Sequence, residues 1–244
     1  MQIFENETKG LKALVFLDLE ATAFTAEMIE IGAYLATLNP DGSIKKVGKP
    51  FKHYVKAHHP IGWAVTKLTG ITEEKLREKG EDFGFVLSEF RKYVGKYWNS
   101  CRFVTFGEHD IVIVKNTMAE HKDTVDPAYA RQIYRHHWDF QKTLGTYVQD
   151  EHGNPLSLKN YLTVFQLEFD GTAHDAIYDA LNTLDLYQAA RIHPEILAEE
   201  YQKVLQNLNS NKVGKPIKTL IKMLNEGKTV TPEMWDLLIK ETFR

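Results

Sequence analysis

The sequence predicts a three-layer α/β fold, in which a mixed central sheet contains an antiparallel three-strand meander and is flanked by helices. Three observations support this prediction. The apolar run at residues 13–17 is typical of a central strand that is covered on both faces. Two more strand-like segments follow it, with a turn between them. Helical patterns mixed with further strands fill most of the remaining chain, as expected for a layered α/β protein.

The meander is predicted at residues 12–19, 28–38 and 47–57, whose sequences are KALVFLDL, MIEIGAYLATL and VGKPFKHYVKA. The segment NPDGS between the second and third strands contains residues that favour tight turns. A further strand is predicted at residues 103–106, and another strand segment is predicted within residues 136–148.

Helices are predicted where apolar residues recur at a spacing of three or four. The sequence HPIGWAVTKLTG predicts a short helix that stops at its last glycine, and Thr72 can cap the next helix. Apolar side chains at residues 83–97 form one helical stripe, which indicates a core face rather than a surface for stacking bases. Further helices are predicted from Asp110, from Ser157 as a cap, and over residues 173–192 with Thr172 as the cap.

The chain is predicted to divide into one domain at residues 1–192 and a helical C-terminal extension at residues 193–244. The extension contains one predicted helix, the linker NSNKVGKP, and one or two more helices. Nothing in its sequence suggests chemistry. It could cover the core, mediate a dimer or contact substrate, and packing is the favoured role.

The composition is ordinary for a globular protein, with 43% hydrophobic residues, 26% charged residues and a formal net charge of −3. This charge argues against a stoichiometric nucleic-acid binder but not against an enzyme that releases its product. The single cysteine, Cys101, excludes an internal disulfide bond. The N-terminal segment has no signal-peptide core and no apolar run approaches membrane-spanning length, so a cytoplasmic location is expected.

Two acidic residues, Asp18 and Glu20, stand at the end of the first predicted strand. Side chains two apart on a strand point to the same face, so both carboxylates should project together. Adjacent carboxylates repel, which raises the pKa of one of them or requires a counter-cation. Oxygen ligands suit Mg²⁺ or Mn²⁺ better than Zn²⁺. Two solvated acids at a strand end are the alternative interpretation.

A histidine and an acid, His174 and Asp179, lie five positions apart, which corresponds to about 140° around a helix. They cannot share a helix face, so His174 is expected at or before the first turn, in the loop that begins with Gly171. A histidine on such a loop can act as a general base without being a metal ligand. A surface histidine with no catalytic role is the alternative.

A fourth acid, Asp110, is predicted to open the helix that follows the strand at residues 103–106. The helix macrodipole favours an acid in the first turn whatever its function, so this residue says little by itself. Glu108, two positions earlier, is a rival metal ligand.

Together these segments resemble the DEDDh group of DnaQ-like 3'-5' exonucleases, in which the order is Asp-x-Glu, then Asp, then His-x4-Asp. The stretches KLTGIT at residues 67–72 and TFGEHD at residues 105–110 also match that group, and the resemblance covers residues 12–190. The form of TFGEHD is similar to that of enhanced-RNAi-type exoribonucleases, which trim RNA 3' ends. Phe106 and Ala23 depart from that branch, where tryptophan and cysteine are frequent. An RNA-binding domain before the region of resemblance is not expected.

The resemblance implies an RNase H-like fold and a 3'-5' exonuclease that uses two Mg²⁺ or Mn²⁺ ions. Such an enzyme hydrolyses phosphodiester bonds at the 3' end of single-stranded nucleic acid and releases nucleoside 5'-monophosphates. RNA is the favoured substrate; a proofreading or repair exodeoxyribonuclease and an inactive nucleic-acid-binding module are the alternatives. By this resemblance the metal ligands are Asp18, Glu20, Asp110 and Asp179, and the general base is His174.

Substrate contacts are predicted from position along the chain. Residues just after Glu20 can offer backbone N–H groups to the terminal nucleotide, which makes Ala21 and Thr22 candidates, and Phe24 can stack on a base. A core or turn position is the alternative for each candidate. The family stretch near the terminal base corresponds to Leu68, Thr69, Gly70 and Ile71.

Overall fold

The computed structural model describes residues 2–123, 125–206 and 215–242. The chain forms two compact units. The first comprises Met1–Thr143 with Ser157–His193, and the second comprises Leu144–Leu156 with Pro194–Arg244. Every residue that the sequence predicts to be functional lies in the first unit.

One mixed sheet forms the centre of the first unit. Its strands, numbered in chain order, are β1 Ala13–Ala21, β2 Met28–Leu38, β3 Ile44–Val47, β4 Phe51–Val55, β5 Gly80–Glu81, β6 Arg102–Thr105 and β7 His137–Asp139. The strand order is β5-β4-β2-β1-β6-β7, and β3 also pairs with β2. Strand β2 pairs antiparallel with β1, β3 and β4, whereas the remaining pairs are parallel. The predicted mixed sheet is confirmed.

The third predicted strand, residues 47–57, is wrong as a continuous element. Strand β4, Phe51–Val55, occupies only the middle of this segment, and β3 ends at its first residue, Val47; both strands pair with β2. Pro50 lies between them. It has no backbone N–H to donate to a strand ladder, so the ladder is interrupted there.

Helices surround the sheet and also form most of the second unit. In the first unit they are α1 Gln2–Thr8, α2 Trp63–Thr69, α3 Glu73–Lys79, α4 Phe83–Val94, a 3₁₀ turn at Gly95–Tyr97, α5 His109–Glu120, α6 Pro127–Arg135, α8 Leu158–Val164 and α9 Ala176–Ile192. Helix α7, Phe140–Gly145, begins in the first unit, and its last two residues, Leu144 and Gly145, belong to the second. The second unit contains α10 Pro194–Gln206, α11 Lys215–Asn225 and α12 Pro232–Thr242.

The side chains of β1 alternate between two helical layers, as the pleat of a strand requires. Val15, Leu17 and Leu19 belong to a core cluster shared with helices α4, α5 and α6. Phe16 points the other way and its ring lies 5.6 Å from that of Tyr187 on α9. The sheet is therefore covered on both faces, which explains the unbroken apolar run at the start of β1.

Several predicted helix ends agree with the structure. Gly70 adopts φ 68° and ends α2 in the left-handed conformation that glycine favours. The Thr72 hydroxyl accepts a hydrogen bond from the Lys75 N–H at 3.1 Å, and the Ser157 hydroxyl accepts one from the Asn160 N–H at 3.3 Å. The predicted stripe on α4 lies in the core.

Residues 136–148 contain much less strand than the sequence predicts. Only His137–Asp139 forms a strand, and helix α7 follows at once. The Asp139 carboxylate accepts a hydrogen bond from the Lys142 N–H at 2.9 Å, so this acid caps the new helix. Helices α1 and α6 were not predicted from the sequence.

Helix α9 begins later than predicted. Its N-cap is Asp175, whose carboxylate accepts a hydrogen bond from the Ile177 N–H at 3.3 Å, and not Thr172. His174 therefore precedes the helix, in the loop that begins with Gly171, as expected. Its backbone has φ 63°, a left-handed conformation that is uncommon outside glycine.

The second unit is largely helical. Two helices, α11 and α12, follow the predicted linker NSNKVGKP, but Lys215 and Pro216 already belong to α11. The rest of that linker, residues 209–214, lies outside the described residues. None of the helices in the described part of the chain is both long and apolar enough to span a bilayer.

Helix α9 approaches the sheet most closely at Gly32 on β2. A Cβ atom at this position would lie 2.2 Å from the carbonyl carbon of Ala176 and 2.3 Å from the backbone nitrogen of Ile177. Both are backbone atoms of the first helical turn, so neither can move aside without displacing the helix. Only glycine fits at position 32.

The Gly32→Ala variant is expected to lose at least about 1–3 kcal/mol of folding free energy, the usual cost of overpacking, because its contacts are with backbone. Urea unfolding of parent and variant measures this loss. Gly10→Ala is the control, because a Cβ atom added at Gly10 would meet no other atom within 4 Å, so only its positive φ opposes the substitution. A loss at Gly32 no larger than that at Gly10 would contradict the close approach.

Candidate active site

The first two acids project from the end of β1 on the face covered by α9. In the antiparallel register Asp18 lies opposite Gly32 and Glu20 lies opposite Glu30. Residues opposite each other in such a pair share a sheet face. Asp18 and Glu20 therefore point to the side where α9 begins.

The third acid, Asp110, reaches the same place from β6 and α5. Strand β6 runs parallel to β1, so the chain leaves both strands at the same edge of the sheet. Asp110 is in the first turn of α5, and its carboxylate accepts a hydrogen bond from the Leu19 N–H at 2.9 Å. The rival Glu108 points outward, with 71% of its side chain exposed and Lys142 3.6 Å away. The structure thus brings Asp110, and not Glu108, to the acids of β1.

The fourth acid and the histidine arrive from α9 and the loop before it. The His174 N–H donates a hydrogen bond to the Asp179 carboxylate at 2.9 Å, although the two residues lie five positions apart. This bond places His174 beside the first turn of α9. Potential ligand atoms of Glu20, His174 and Asp179 all lie within 4.8 Å of one another. The imidazole is exposed, whereas both carboxylates are half-buried.

Burial and mutual repulsion raise the pKa of all four carboxylates. Burial raises the pKa of Asp18 well above its ordinary value, and the other three acids and Glu30 add to the effect. Burial followed by the charges of Asp179 and Glu30 raises the pKa of Glu20 to about 8. Burial raises the pKa of Asp110 to about 7 against the opposing Leu19 hydrogen bond. Burial also raises the pKa of Asp179, although the His174 N–H opposes it.

This donor set fits divalent cations that prefer oxygen ligands. Four carboxylates converge at one edge of the sheet, and none of them forms an ion pair with a lysine or arginine among residues 2–123, 125–206 and 215–242. Repulsion within such a group is relieved when a cation binds. The chemistry of the set suits Mg²⁺ or Mn²⁺.

Three further residues that the sequence reasoning missed support this edge of the sheet. The Glu30 carboxylate, 1% exposed, accepts a hydrogen bond from the Ala176 N–H at 3.2 Å. Lys52 lies 3.0 Å from Glu30 and 2.5 Å from the N-cap Asp175. Burial lowers the pKa of Lys52, but its bonds to Asp175 and Glu30 outweigh this and raise it. The one sequence signal for this network of Glu30, Lys52 and Asp175 was the presence of an acid, Glu30, within the apolar strand MIEIGAYLATL.

The predicted substrate residues after β1 differ in their accessibility. Ala21 is the last residue of β1, at an irregularity in the ladder. Thr22 is buried, and its N–H donates to the Glu27 carbonyl at 2.8 Å, so this N–H is used within the turn. Phe24 is 92% exposed, which leaves its ring free to contact a ligand.

The predicted substrate residues at positions 68–71 also differ in their accessibility. Leu68 is exposed and Gly70 ends α2. The Thr69 hydroxyl donates to the Val65 carbonyl and accepts from the Ile71 N–H. Ile71 is only 1% exposed and packs in a small cluster with Ile29, Ile61 and Leu76, so its side chain has a core position.

The fold and the grouping of acids define a metal-dependent nuclease, and sequence comparison assigns the family. A family model described as Exonuclease (RNase_T) matches residues 15–187. The chain belongs to this exonuclease family. The predicted enzyme class is confirmed at the level of an exonuclease, whereas the DEDDh group, the 3'-5' direction and the RNAi-type branch stay predictions. No similar sequence was found among curated proteins.

Solved structures share the fold. The nuclease domain of 3'hExo, a DEDDh family member bound to rAMP, has a TM-score of 0.59 and 19% identity over 75% of this chain and 93% of that chain. A full-length 3'-exonuclease has a TM-score of 0.61 and 18% identity over 75% of this chain, which spans only 62% of its length. E. coli Exonuclease I with an oligonucleotide has a TM-score of 0.58 and 16% identity over 83% of this chain and 45% of that chain. The RNase H-like fold class is thereby confirmed.

The burial of the four acids, together with the repulsion among them, predicts a pH-dependent stability of the metal-free protein. Because the pKa values of Glu20 and Asp110 are raised to about 8 and 7, the folded state binds more protons than the unfolded state from about pH 4 to 8. Stability in EDTA should therefore fall as the pH rises through this range. Asp18→Asn should reduce that fall, because it removes a buried carboxyl whose own pKa is raised, by on the order of 1 kcal/mol for each pKa unit of that shift.

Thermal unfolding of both proteins in EDTA at several pH values measures this difference. Glu151→Gln is the matched control, because that side chain is 85% exposed and lies outside the group of acids. An Asp18→Asn profile that runs parallel to that of the parent would show that the pKa of Asp18 is not raised in the folded protein.

Proposed function

We propose that this exonuclease removes nucleotides from the 3' end of single-stranded RNA and releases nucleoside 5'-monophosphates. The observation that carries the proposal is the convergence of four carboxylates from β1, α5 and α9, with His174 beside them. RNA is favoured over DNA by the form of the TFGEHD motif. The structures of similar fold include a 3'-exonuclease that recognises the 3' end of a histone mRNA stem-loop.

Asp18, Glu20, Asp110 and Asp179 are the residues that would hold the two Mg²⁺ or Mn²⁺ ions. When bound, such ions supply charge stabilisation to the attacking and leaving oxygens of a phosphodiester. The protein fixes the four carboxylates on rigid elements, two on the central strand and two in the first turns of helices. Burial, and after it the negative charge of the neighbouring acids, raises their pKa values in the metal-free protein, and bound cations would offset both effects.

His174 is assigned the role of general base. Its imidazole is exposed at the edge of the acid cluster, where a water molecule can reach it, and it lies close to Glu20 and Asp179. The hydrogen bond from the His174 backbone N–H to Asp179 holds the loop in place. It does not involve the nitrogen atoms of the imidazole ring. A neutral imidazole in this place can accept the proton of the water that attacks the phosphate.

The terminal nucleotide is assigned to the surface formed by the turn after β1 and the end of α2. Ala23 on this turn donates its N–H to the Ile61 carbonyl at 2.9 Å, so the turn lies beside the segment that leads into α2. Phe24 and Leu68 are the exposed apolar side chains of this surface that the sequence predicted. Ala21, Thr69 and Gly70 complete the proposed contacts, whereas Thr22 and Ile71 would act by supporting the backbone, because both are buried.

An exodeoxyribonuclease is the second candidate. Its support is the shared fold with E. coli Exonuclease I, which was solved with an oligonucleotide. An inactive binding module is disfavoured because each of the four acidic positions and the histidine retains its residue.

Matched RNA and DNA oligonucleotides labelled at the 5' end test the proposal. We expect a ladder that shortens from the 3' end, monophosphate products, faster cleavage of RNA, and loss of all cleavage in EDTA. A chimera with one 3'-terminal deoxynucleotide should show whether the last sugar decides the preference. Asp18→Ala should be inactive yet folded, and Glu151→Gln should retain activity. Cleavage of a circular substrate, or full activity in excess EDTA, would refute the proposal.

The His174→Ala variant should lose about 10²–10⁴-fold in rate, the usual contribution of a general base. Calorimetric Mn²⁺ affinity should change little, because carboxylates hold the ions, and the variant should lose the acid limb of the parent's pH–rate profile. His152→Ala, whose side chain is 75% exposed in the second unit, is the control. Parental rate with parental pH dependence would exclude the base role, and a large loss of Mn²⁺ affinity would make His174 a ligand.

A further inference from the structure

A second group of metal-binding side chains surrounds Glu27, outside the group of four acids. We call Glu27, His58, His59 and His121 the Glu27 cluster. The Glu27 side chain is completely buried, His121 is 5% exposed, and His58 and His59 are 54% and 41% exposed. None of these residues has a part in the proposed nuclease reaction.

The Glu27 carboxylate is fixed in place before any ligand is considered. One oxygen accepts the His58 N–H at 2.7 Å, and the other accepts the His59 N–H at 3.0 Å. Burial alone would raise the pKa of Glu27, but these bonds and those from the His59 and His121 rings outweigh it and lower the pKa. The group is therefore an ionised carboxylate inside the protein, which requires compensating charge or hydrogen bonds.

The histidine rings present nitrogen atoms to that carboxylate at spacings typical of one coordination sphere. Nε2 of His121 lies 3.2 Å from Oε1 of Glu27, and Nδ1 of His58 lies 3.9 Å from the same oxygen. One ligand atom from each of the three residues lies within 4.8 Å of the others. Ligands bound to Zn²⁺ at about 2.0–2.1 Å in a tetrahedron are separated by about 3.3 Å. Small side-chain adjustments would bring the three atoms to that spacing.

We propose that Glu27, His58 and His121 form a binding site for a transition-metal ion of the Zn²⁺ type, separate from the acid cluster. Two imidazoles and one carboxylate are a ligand set that Zn²⁺ uses, and imidazole suits it better than Mg²⁺. The exposed side of His58 leaves room for a water molecule as the fourth ligand. Nδ1 of His59 lies 3.0 Å from the other Glu27 oxygen, in the position of an outer partner that orients a ligand.

Such an ion would join three segments that shape the active site. Glu27 closes the turn after β1, where its N–H donates to the Thr22 hydroxyl at 3.0 Å and its carbonyl accepts the Thr22 N–H. His58 belongs to the segment between β4 and α2, and His121 follows the last turn of α5. The turn after β1 carries Phe24, and α5 carries Asp110. The ion would therefore stabilise the protein and fix the turn after β1, which forms part of the proposed substrate surface.

Zn²⁺ titration of an Asp18→Ala background tests the site, because that background weakens ion binding by the acid cluster. We expect one Zn²⁺ ion to bind and to raise the unfolding temperature, as a ligand of the folded state must. Adding His58→Ala should weaken the Zn²⁺ affinity by at least about 100-fold. Removal of a residue that only orients a metal ligand can already cost about that much, and His58 is proposed as a ligand itself. Co²⁺ in place of Zn²⁺ should give the strong visible absorption of a tetrahedral site in the background but not in the double variant.

His58 is the preferred position for this substitution because its half-exposed side chain can be removed without opening the core, whereas His121→Ala risks unfolding. Equal metal-free unfolding temperatures of the background and the double variant verify this choice. His152→Ala in the same background should leave Zn²⁺ binding unchanged. Failure of the background to bind Zn²⁺, or equal affinity with and without His58, would overturn the site, and either result would leave the nuclease assignment untouched.

Discussion

The seating of helix α9 on strand β2 is the contact on which the rest of the site depends. Gly32 lets the first turn of α9 touch the sheet backbone, and Glu30, two residues earlier on the same face, accepts the Ala176 N–H. Lys52 then joins Glu30 to the N-cap Asp175. Because Gly32 and Glu30 lie opposite Asp18 and Glu20, the same contact that holds the helix also brings Asp179 and His174 to the acids of β1. Steric fit and the two partly buried ion pairs of Lys52 thus determine where the chemistry can occur.

This seating also explains how the fold tolerates four carboxylates that repel one another. Each acid is attached to an element held by many buried apolar contacts: β1 in the centre of the sheet, α5 on one face and α9 on the other. These apolar contacts hold the acids together, and the burial of the carboxylates, followed by their mutual repulsion, raises their pKa values. The resulting site exchanges some stability for a strong preference for cations, as functional sites often do.

The sequence predicted those parts that depend on local periodicity. The strands β1 and β2, the placement of Asp18 and Glu20 on one face, and the exclusion of His174 from the helix of Asp179 all follow from periods of two and 3.6 residues. It did not predict helix α7, because the cap Asp139 lies in a segment rich in strand-forming residues. The hydrogen bond from the Lys142 N–H to Asp139 shows that the strand ends there and a helix begins. Lys52 and the Glu27 cluster were beyond reach for another reason. Their partners are separated by 22 or more positions, and a single sequence carries no record of such pairing.

The sheet that carries this site ends in very short strands, and that brevity affects how the protein behaves among other molecules. Strand β5 contributes two residues to one edge and β7 contributes three to the other, while the side strand β3 carries two lysines in its sequence IKKV. An edge of two or three residues offers little unpaired backbone for another strand to join, and lysine on an edge discourages such pairing. The long apolar strands that position the acids are enclosed between these short borders. The long apolar strands are the part of the chain most prone to self-association by strand addition. The short edge strands therefore protect them from pairing with strands of other molecules.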